Sequence, residues 1–186
     1  MKFFVMYAQT SVEEYVVPGE EILPLERGCV NSEFQFLDRK PLEVEISEEG
    51  GKYFPDFILY RSIPLISQGI RRVLDSFKVD YVFFKPIRLT CAELGLAENY
   101  WLALPPRINC LNLSKSKVEI EDNEFLMPNE LMCTAEKISV APSKIGRYEI
   151  FKLAGVVNQE ILVTQNLKEA LAEGNFENLF FYELEE

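Results

Sequence analysis

The chain contains no histidine among its 186 residues. Histidine is the side chain that exchanges protons near neutral pH, the usual base beside a nucleophilic serine or cysteine, and a common metal ligand. Its absence excludes Ser-His and Cys-His nucleophile pairs, a histidine general base and histidine metal ligation. The chain also lacks a glycine-rich phosphate-binding loop. These absences favour a protein that binds a partner over one that transforms a substrate.

Cysteine motifs and long hydrophobic runs are missing as well. Cys29, Cys91, Cys110 and Cys133 include no CxxC pair, which excludes a zinc ribbon and a thioredoxin-like motif. No run approaches the roughly 20 apolar residues of a membrane span, and the apolar start of the chain is shorter than a signal-peptide core. We therefore expect a reduced, cytoplasmic protein in which Cys91, Cys110 and Cys133 are buried as small hydrophobic side chains.

What the chain does have is acid, with a formal net charge of -11. Residues 1–50 carry a net charge of -7 and residues 51–90 carry +4, while residues 91–130 and 131–186 carry -4 each. An acidic surface repels nucleic acid and anionic membranes, and it accelerates encounter with basic proteins. We therefore predict a basic protein as partner, and neither nucleic acid nor membrane. The alternative is that the charge serves solubility alone.

The hydrophobic pattern predicts an α+β fold with a mainly antiparallel sheet system and helices packed on one side. Apolar residues recur at helical spacing after Ser67 and Thr164, which predicts two short amphipathic helices over about residues 68–77 and 165–173. Each hydroxyl residue is placed to cap its helix, and Gly174 is placed as a left-handed stop. Strands are predicted over residues 2–7, 14–17, 33–37, 42–46, 57–60, 79–84, 99–104, 107–113, 118–120, 136–140, 149–153, 160–163 and 176–182.

A glycine-containing stretch at residues 48–52, Glu-Glu-Gly-Gly-Lys, is the predicted boundary between two parts of the chain. Residues 1–50 are predicted to form a small β-rich lobe. Residues 51–186 are predicted to form the larger α+β domain, which contains both helices.

The first lobe presents a row of carboxylates. In residues 42–46 strict alternation places Glu43 and Glu45 on one face of a strand and the apolar side chains on the other. Glu48 and Glu49 follow directly. Such a row is typical of a solvated face, and it also suits docking to a basic protein.

A second acidic run comprises Glu119, Glu121, Asp122 and Glu124. Closely spaced oxygen ligands are typical of calcium loops, but this run lacks the central glycine turn and the terminal bidentate glutamate. We therefore predict no metal site here. The run is either a solvated loop or a negative patch that docks into a basic site on another protein.

The one tryptophan, Trp101, lies in a predicted apolar strand beside Tyr100. If its indole is exposed, it is the type of residue that anchors protein interfaces. The competing interpretation places it in the core, where a tryptophan in an apolar strand is more often found.

A series of motifs in a characteristic order runs from residue 55 to residue 182. They are Pro55-Asp56-Phe57, Pro64-Leu65-Ile66-Ser67, the aromatic strand around Tyr100, Ile108-Asn109-Cys110-Leu111, Ile150-Phe151-Lys152-Leu153, and Ile161-Leu162-Val163-Thr164 leading into Leu167-Lys168-Glu169-Ala170-Leu171. Their order and spacing resemble the immunity proteins of bacterial polymorphic toxin systems, specifically immunity family eleven, formerly a domain of unknown function. The chain departs from that pattern at Asn109 and Asn112, where an acidic residue is expected, and at Asn178, where glycine is common.

The resemblance implies a non-catalytic protein that binds and neutralises a cognate toxin domain, and it supplies no catalytic residues. Together with the acidic composition it predicts a basic toxin. The predicted partner-binding residues are Glu43, Glu45, Glu48, Glu49, Glu119, Glu121, Asp122, Glu124 and Trp101. No cofactor or metal is expected.

Two alternatives stay open. One is a small-ligand-binding or carboxylate-dependent enzymatic module, which predicts a pocket where carboxylates and thiols converge with shifted pKa values. The other is a homo-oligomer in which edge strands of the first lobe pair between copies.

Overall fold

A computed structural model describes residues 2–9, 13–31, 37–120, 132–157 and 160–184. Within these ranges it contains twelve β-strands and three α-helices, which confirms the predicted α+β class. The strands are β1 (Phe3–Tyr7), β2 (Leu42–Glu45), β3 (Phe57–Tyr60), β4 (Ile63–Ser67), β5 (Phe83–Cys91), β6 (Leu96–Leu104), β7 (Arg107–Ile108), β8 (Lys117–Ile120), β9 (Cys133–Lys137), β10 (Ile150–Leu153), β11 (Ile161–Thr164) and β12 (Phe180–Glu183). The helices are α1 (Glu26–Asn31), α2 (Gln68–Ser76) and α3 (Gln165–Glu173).

Ten of these strands form two five-stranded sheets. Sheet 1 has the order β12-β1-β11-β10-β7, sheet 2 has the order β2-β5-β6-β4-β3, and β8 and β9 form a separate hairpin. The described neighbours pair antiparallel except for β7 with β10 and β2 with β5. The sheet system is therefore mainly antiparallel, as the sequence predicts.

The two predicted amphipathic helices are α2 and α3, and each follows a strand directly. The Ser67 hydroxyl accepts a hydrogen bond from the Ile70 amide (3.4 Å), and the Thr164 hydroxyl accepts one from the Leu167 amide (3.5 Å). Both predicted caps are therefore confirmed, because these oxygens satisfy amides that the first helical turn leaves free. In the part of the chain that the structure describes, no helix has the length and apolar character needed to cross a bilayer.

The predicted role of Gly174 was wrong. Gly174 keeps a right-handed helical backbone, with φ of -70°, and the positive φ of 46° falls on Asn175 instead. Gly174 is needed for space, since a Cβ atom built on it would lie 2.2 Å from the ring of Phe176.

The core is divided into three clusters by the two sheets. The central cluster joins residues of both sheets to both helices, among them Met6, Ile66, Leu74 and Leu171. The α2 helix packs on β4 and β6 of sheet 2, α3 packs on β1 and β11 of sheet 1, and the two helices contact each other. Helix packing therefore covers one face of each sheet.

The other face of each sheet has its own cover. In sheet 2 it packs against Val16, Leu25, Leu37 and the fully buried side chains of Ile22 and Cys29. In sheet 1 it packs against the β8–β9 hairpin through Cys133 and Ala135. Both faces of each sheet are therefore buried over much of their length.

The first fifty residues differ from the predicted series of short strands. Residues 14–17 form no strand: Tyr15 makes an isolated bridge to Tyr53, and the adjacent Pro18 makes another to Ile46. A 3-10 helix over Glu20–Leu25 leads directly into α1, and its two first-turn glutamates suit a helix N-terminus. Except for Leu37, the predicted strand over residues 33–37 lies outside the described residues.

Strands from before residue 50 lie in both sheets. In sheet 1, β1 pairs with β11 on one side and β12 on the other. In sheet 2, β2 pairs with β5. The division of the chain into a lobe over residues 1–50 and a domain over residues 51–186 stays a prediction.

Candidate functional site

Three of the predicted partner-binding residues lie on one face of sheet 2. Glu43 of β2 is opposite Arg88 of β5, and Pro86 of β5 is opposite Trp101 of β6. Opposite residues share a face, as do residues two apart on a strand. Glu43, Glu45, Arg88 and Trp101 therefore point to the same side, and we call these four residues the sheet-face patch.

The Trp101 side chain is half-buried and held on several sides. Its indole nitrogen donates a hydrogen bond to the Gln68 side-chain oxygen at 2.9 Å. The Arg71 guanidinium lies 3.2 Å from the Phe84 ring centroid and 5.3 Å from that of Trp101, and it pairs with Asp75 at 2.9 Å. These contacts fix the indole before any partner binds, which lowers the entropy cost of using it as an anchor.

The sheet-face patch carries charge of both signs. Glu43, Glu45 and Arg88 are all exposed. Within the described ranges Arg88 forms no ion pair. A partner for this patch must therefore complement two carboxylates and one guanidinium beside a tryptophan.

The other predicted residues lie elsewhere. Glu48 and Glu49 are exposed in the turn that follows β2, at the same edge of sheet 2. Glu119 lies in β8, opposite Thr134 of β9, on the hairpin that packs against sheet 1. Glu121, Asp122 and Glu124 lie outside the described residues.

All four cysteines are buried thiols, which confirms the expectation for Cys91, Cys110 and Cys133. Burial raises the pKa of the Cys29 thiol to about 12 and that of the Cys110 thiol to about 11. Because the thiolate is the nucleophilic form, neither group supplies a nucleophile at neutral pH.

A cleft of about 400 Å³ lies at the outer edge of β3, between this strand and residues 15–18. Its lining includes Tyr15, Tyr60 and Asn178, and it contains neither a carboxylate nor a thiol. The converging carboxylates and thiols of the enzymatic alternative are therefore not gathered in this cleft. Nor do three such groups meet closely enough to hold a metal ion anywhere in the described ranges.

An aromatic group at the edge of sheet 1 was missed by the sequence reasoning. The Tyr7 ring lies 5.6 Å from the rings of both Phe180 and Tyr182. The Tyr182 hydroxyl donates a hydrogen bond to Glu160 (3.0 Å), and burial raises the pKa of that carboxyl. The available signal was three successive aromatic residues in a strand that has no apolar–polar alternation.

The comparison with known families covers nearly the whole chain. The model of the immunity protein family Imm11 matches residues 6–186. The chain belongs to the Imm11 immunity protein family. The Imm11 match extends beyond the motifs at residues 55–182 and takes in the end of β1 and the whole of β2. It therefore includes Glu43 and Glu45 as well as Trp101. No curated protein matches the chain.

Proposed function

We propose that this Imm11 protein works in the cytoplasm by binding a cognate toxin domain and blocking it, without catalysing a reaction of its own. The observation that carries the proposal is the family match over residues 6–186. Two features of the molecule support it. The chain has no histidine, and its four thiols are buried, so the commonest nucleophile arrangements are missing.

The proposed toxin is basic, and the sheet-face patch is its proposed docking surface. The net charge of -11 favours fast encounter with a positively charged protein. At the patch, Trp101 and the carboxylates of Glu43 and Glu45 combine a preorganised aromatic anchor with exposed charge. An interface of ordinary size would bury roughly 800 Å² on each partner, which extends past the patch to Glu48 and Glu49.

The test begins with affinity capture of the tagged protein from its native cells at low and raised salt. We expect one basic, stoichiometric partner whose binding weakens with salt, and whose toxicity is suppressed when the Imm11 protein is co-expressed. Absence of any partner while the toxin is present in the cells would remove the support for this function.

Charge reversal then tests the docking surface. The double variant Glu43→Lys/Glu45→Lys should slow association by about tenfold and flatten its salt dependence. The matched control is Glu169→Lys/Glu173→Lys, which makes the same change in charge at exposed positions of α3. Equal effects of the two double variants would mean that overall charge, and not this patch, governs association.

A further inference from the structure

The outer edge of β12 presents backbone groups to which no described residue bonds. The Leu184 amide donates to the Phe3 carbonyl oxygen at 3.0 Å, so these two residues form a hydrogen-bonded pair between β12 and β1. Bonded and non-bonded pairs alternate along antiparallel strands, so Tyr182 also bonds to β1. The N–H and C=O groups of Phe181 and Glu183 therefore point away from β1, and no described residue bonds to them.

This edge is also hydrophobic and exposed. Three of the four β12 residues are aromatic, and Phe180 and Tyr182 are 36% and 45% exposed. Together with Tyr7 they form a continuous ring surface beside the open backbone groups. Natural sheet edges are usually protected by charged side chains, proline, a bulge or a covering segment. The one charged residue of β12, Glu183, is paired with Lys2, and an edge that is otherwise aromatic is suited to pairing with another strand.

Carboxylates lie next to this edge, in a cleft of about 330 Å³ between β9 and β12. Its lining includes three carboxylates, Glu136, Glu160 and Glu183, and one lysine, Lys137. Glu183 pairs with Lys2 at 2.7 Å. In contrast, Glu160 has no cationic partner in the described chain, and one of its oxygens is buried without a hydrogen-bond donor. Glu136 is likewise paired, with Lys117, so Glu160 is the carboxylate of this cleft that no described cation neutralises.

We propose that the toxin adds an extended, basic segment to sheet 1 along β12. The segment forms backbone hydrogen bonds with Phe181 and Glu183, and a cationic side chain packs over the Tyr7–Tyr182 ring surface close to Glu160. Strand addition of this kind takes affinity from the main chain and specificity from alternate side chains, and cations are attracted to aromatic faces. The inference rests on the proposed function and adds a second contact to the sheet-face patch.

Charge distinguishes this occupant from a second copy of the chain. Two copies paired along β12 would bring together two molecules of net charge -11 and duplicate the Glu160 and Glu183 carboxylates at the junction. Like charges placed opposite each other oppose strand pairing. A basic segment gains from the same carboxylates.

Amide hydrogen exchange tests the geometry directly, with the captured toxin as the ligand. In the free protein the outward amides of Phe181 and Glu183 should exchange rapidly, whereas the inward Tyr182 amide should be protected. Addition of a saturating amount of an inactive toxin variant should protect the Phe181 and Glu183 amides by at least about tenfold. A complex that leaves both amides unprotected overturns the inference while the proposed function stands. Failure to form any complex removes the proposed function and the inference together.

A pair of variants at one position isolates the backbone contribution. Glu183→Pro removes the outward N–H, and proline is tolerated at such edge positions. Glu183→Ala removes the same carboxylate and keeps the N–H. We expect Glu183→Pro to bind the toxin about tenfold more weakly than Glu183→Ala, with unchanged thermal unfolding. Equal affinities of the two variants for the toxin would overturn the inference. Concentration-dependent protection of the Phe181 and Glu183 amides in the absence of toxin would also overturn it, because it would identify a second copy of the chain as the occupant. If Glu183→Pro does not fold, the exchange measurement on the unmodified protein decides.

Discussion

The side-chain amide of Asn178 donates a hydrogen bond to the carbonyl oxygen of Phe57 at 3.0 Å. The same amide nitrogen donates to the Gln9 carbonyl oxygen (3.2 Å), and the Gln9 amide donates to the Asn178 side-chain oxygen (2.9 Å). Asn178 therefore joins the chain after β1 to the start of β3. Its φ of 60° lies in the left-handed region, which asparagine adopts more readily than most residues other than glycine.

Two substitutions at Asn178 separate its hydrogen bonds from its backbone conformation. Asn178→Gly keeps the left-handed backbone and loses the bonds, so it should lower the free energy of unfolding by about 2–3 kcal/mol. Asn178→Ala loses the bonds and adds left-handed strain, so it should cost about 1 kcal/mol more. Urea unfolding of both variants measures the difference. Equal stabilities would show that the positive φ carries no cost for alanine here.

The Phe176 ring leaves no room for a side chain at either of two glycines. A Cβ atom would lie 2.2 Å from the ring at Gly174 and 2.8 Å from it at Gly69. At an exposed position in a helix, replacing glycine by alanine stabilises the helix by up to about 1 kcal/mol. Here each alanine should instead destabilise by about 1–3 kcal/mol, because it overpacks the contact between α2 and α3.

A double-mutant cycle with Phe176→Leu checks this explanation. The cost of Gly174→Ala in unfolding free energy should fall by at least about 1 kcal/mol when the ring has been removed. Strict additivity would mean that the ring moves aside freely and that the glycine is not required for space.

Lys152 is a buried amine that pairs with no carboxylate among the described residues. The side chain is 1% exposed, and its nitrogen donates to the Cys29 carbonyl oxygen at 3.2 Å. Burial, and to a smaller extent the nearby Arg107, lower the pKa of Lys152 from 10.5 to about 8. The value of 10.5 applies to the unfolded chain and the value of about 8 to the folded one. Between these two pH values the unfolded chain therefore binds more protons at Lys152 than the folded chain does. The contribution of Lys152 to stability therefore rises as pH increases from about 8 to 10.5.

Lys152→Met removes this dependence. At pH 7 the variant should be more stable than the unmodified protein by on the order of 2 kcal/mol, because no buried charge has to be accommodated. The advantage should shrink as the pH approaches 10. Urea unfolding of both proteins at pH 7, 8.5 and 10 measures the difference in their free energies of unfolding. The contributions of other ionisable groups are common to both proteins and cancel in this difference. A constant difference over this range would contradict the lowered pKa.

Removal of residues 1–50 tests the predicted division of the chain. We expect residues 51–186 to lose cooperative thermal unfolding, because β1 lies between β11 and β12 and its removal leaves both without their central partner. Adding residues 1–50 as a separate polypeptide should restore part of the folded signal. A cooperative transition of residues 51–186 alone would instead support an independent domain.

Local signals in the sequence were sufficient for the helices and for several strands. Ser67 and Thr164 each precede an apolar 3.6-residue pattern, and cap and pattern together lie within a single short segment. Likewise, alternation in residues 42–46 predicted that Glu43 and Glu45 share a face. No local signal specified residues 14–18, where Tyr15 bridges to Tyr53 and Pro18 to Ile46, both distant in sequence.

Composition was sufficient to determine the acidic charge and to exclude histidine chemistry. The short spacing of apolar residues was sufficient to predict the amphipathic helices. Only the tertiary structure decided which strands became neighbours. Pairing between β1 and β12 joins the two ends of the described chain. It makes the aromatic strand β12 an edge strand of sheet 1. The position of Phe176 against Gly69 and Gly174 has the same origin. Contacts between residues a hundred positions apart follow from packing the whole chain, and no short window of sequence contains them.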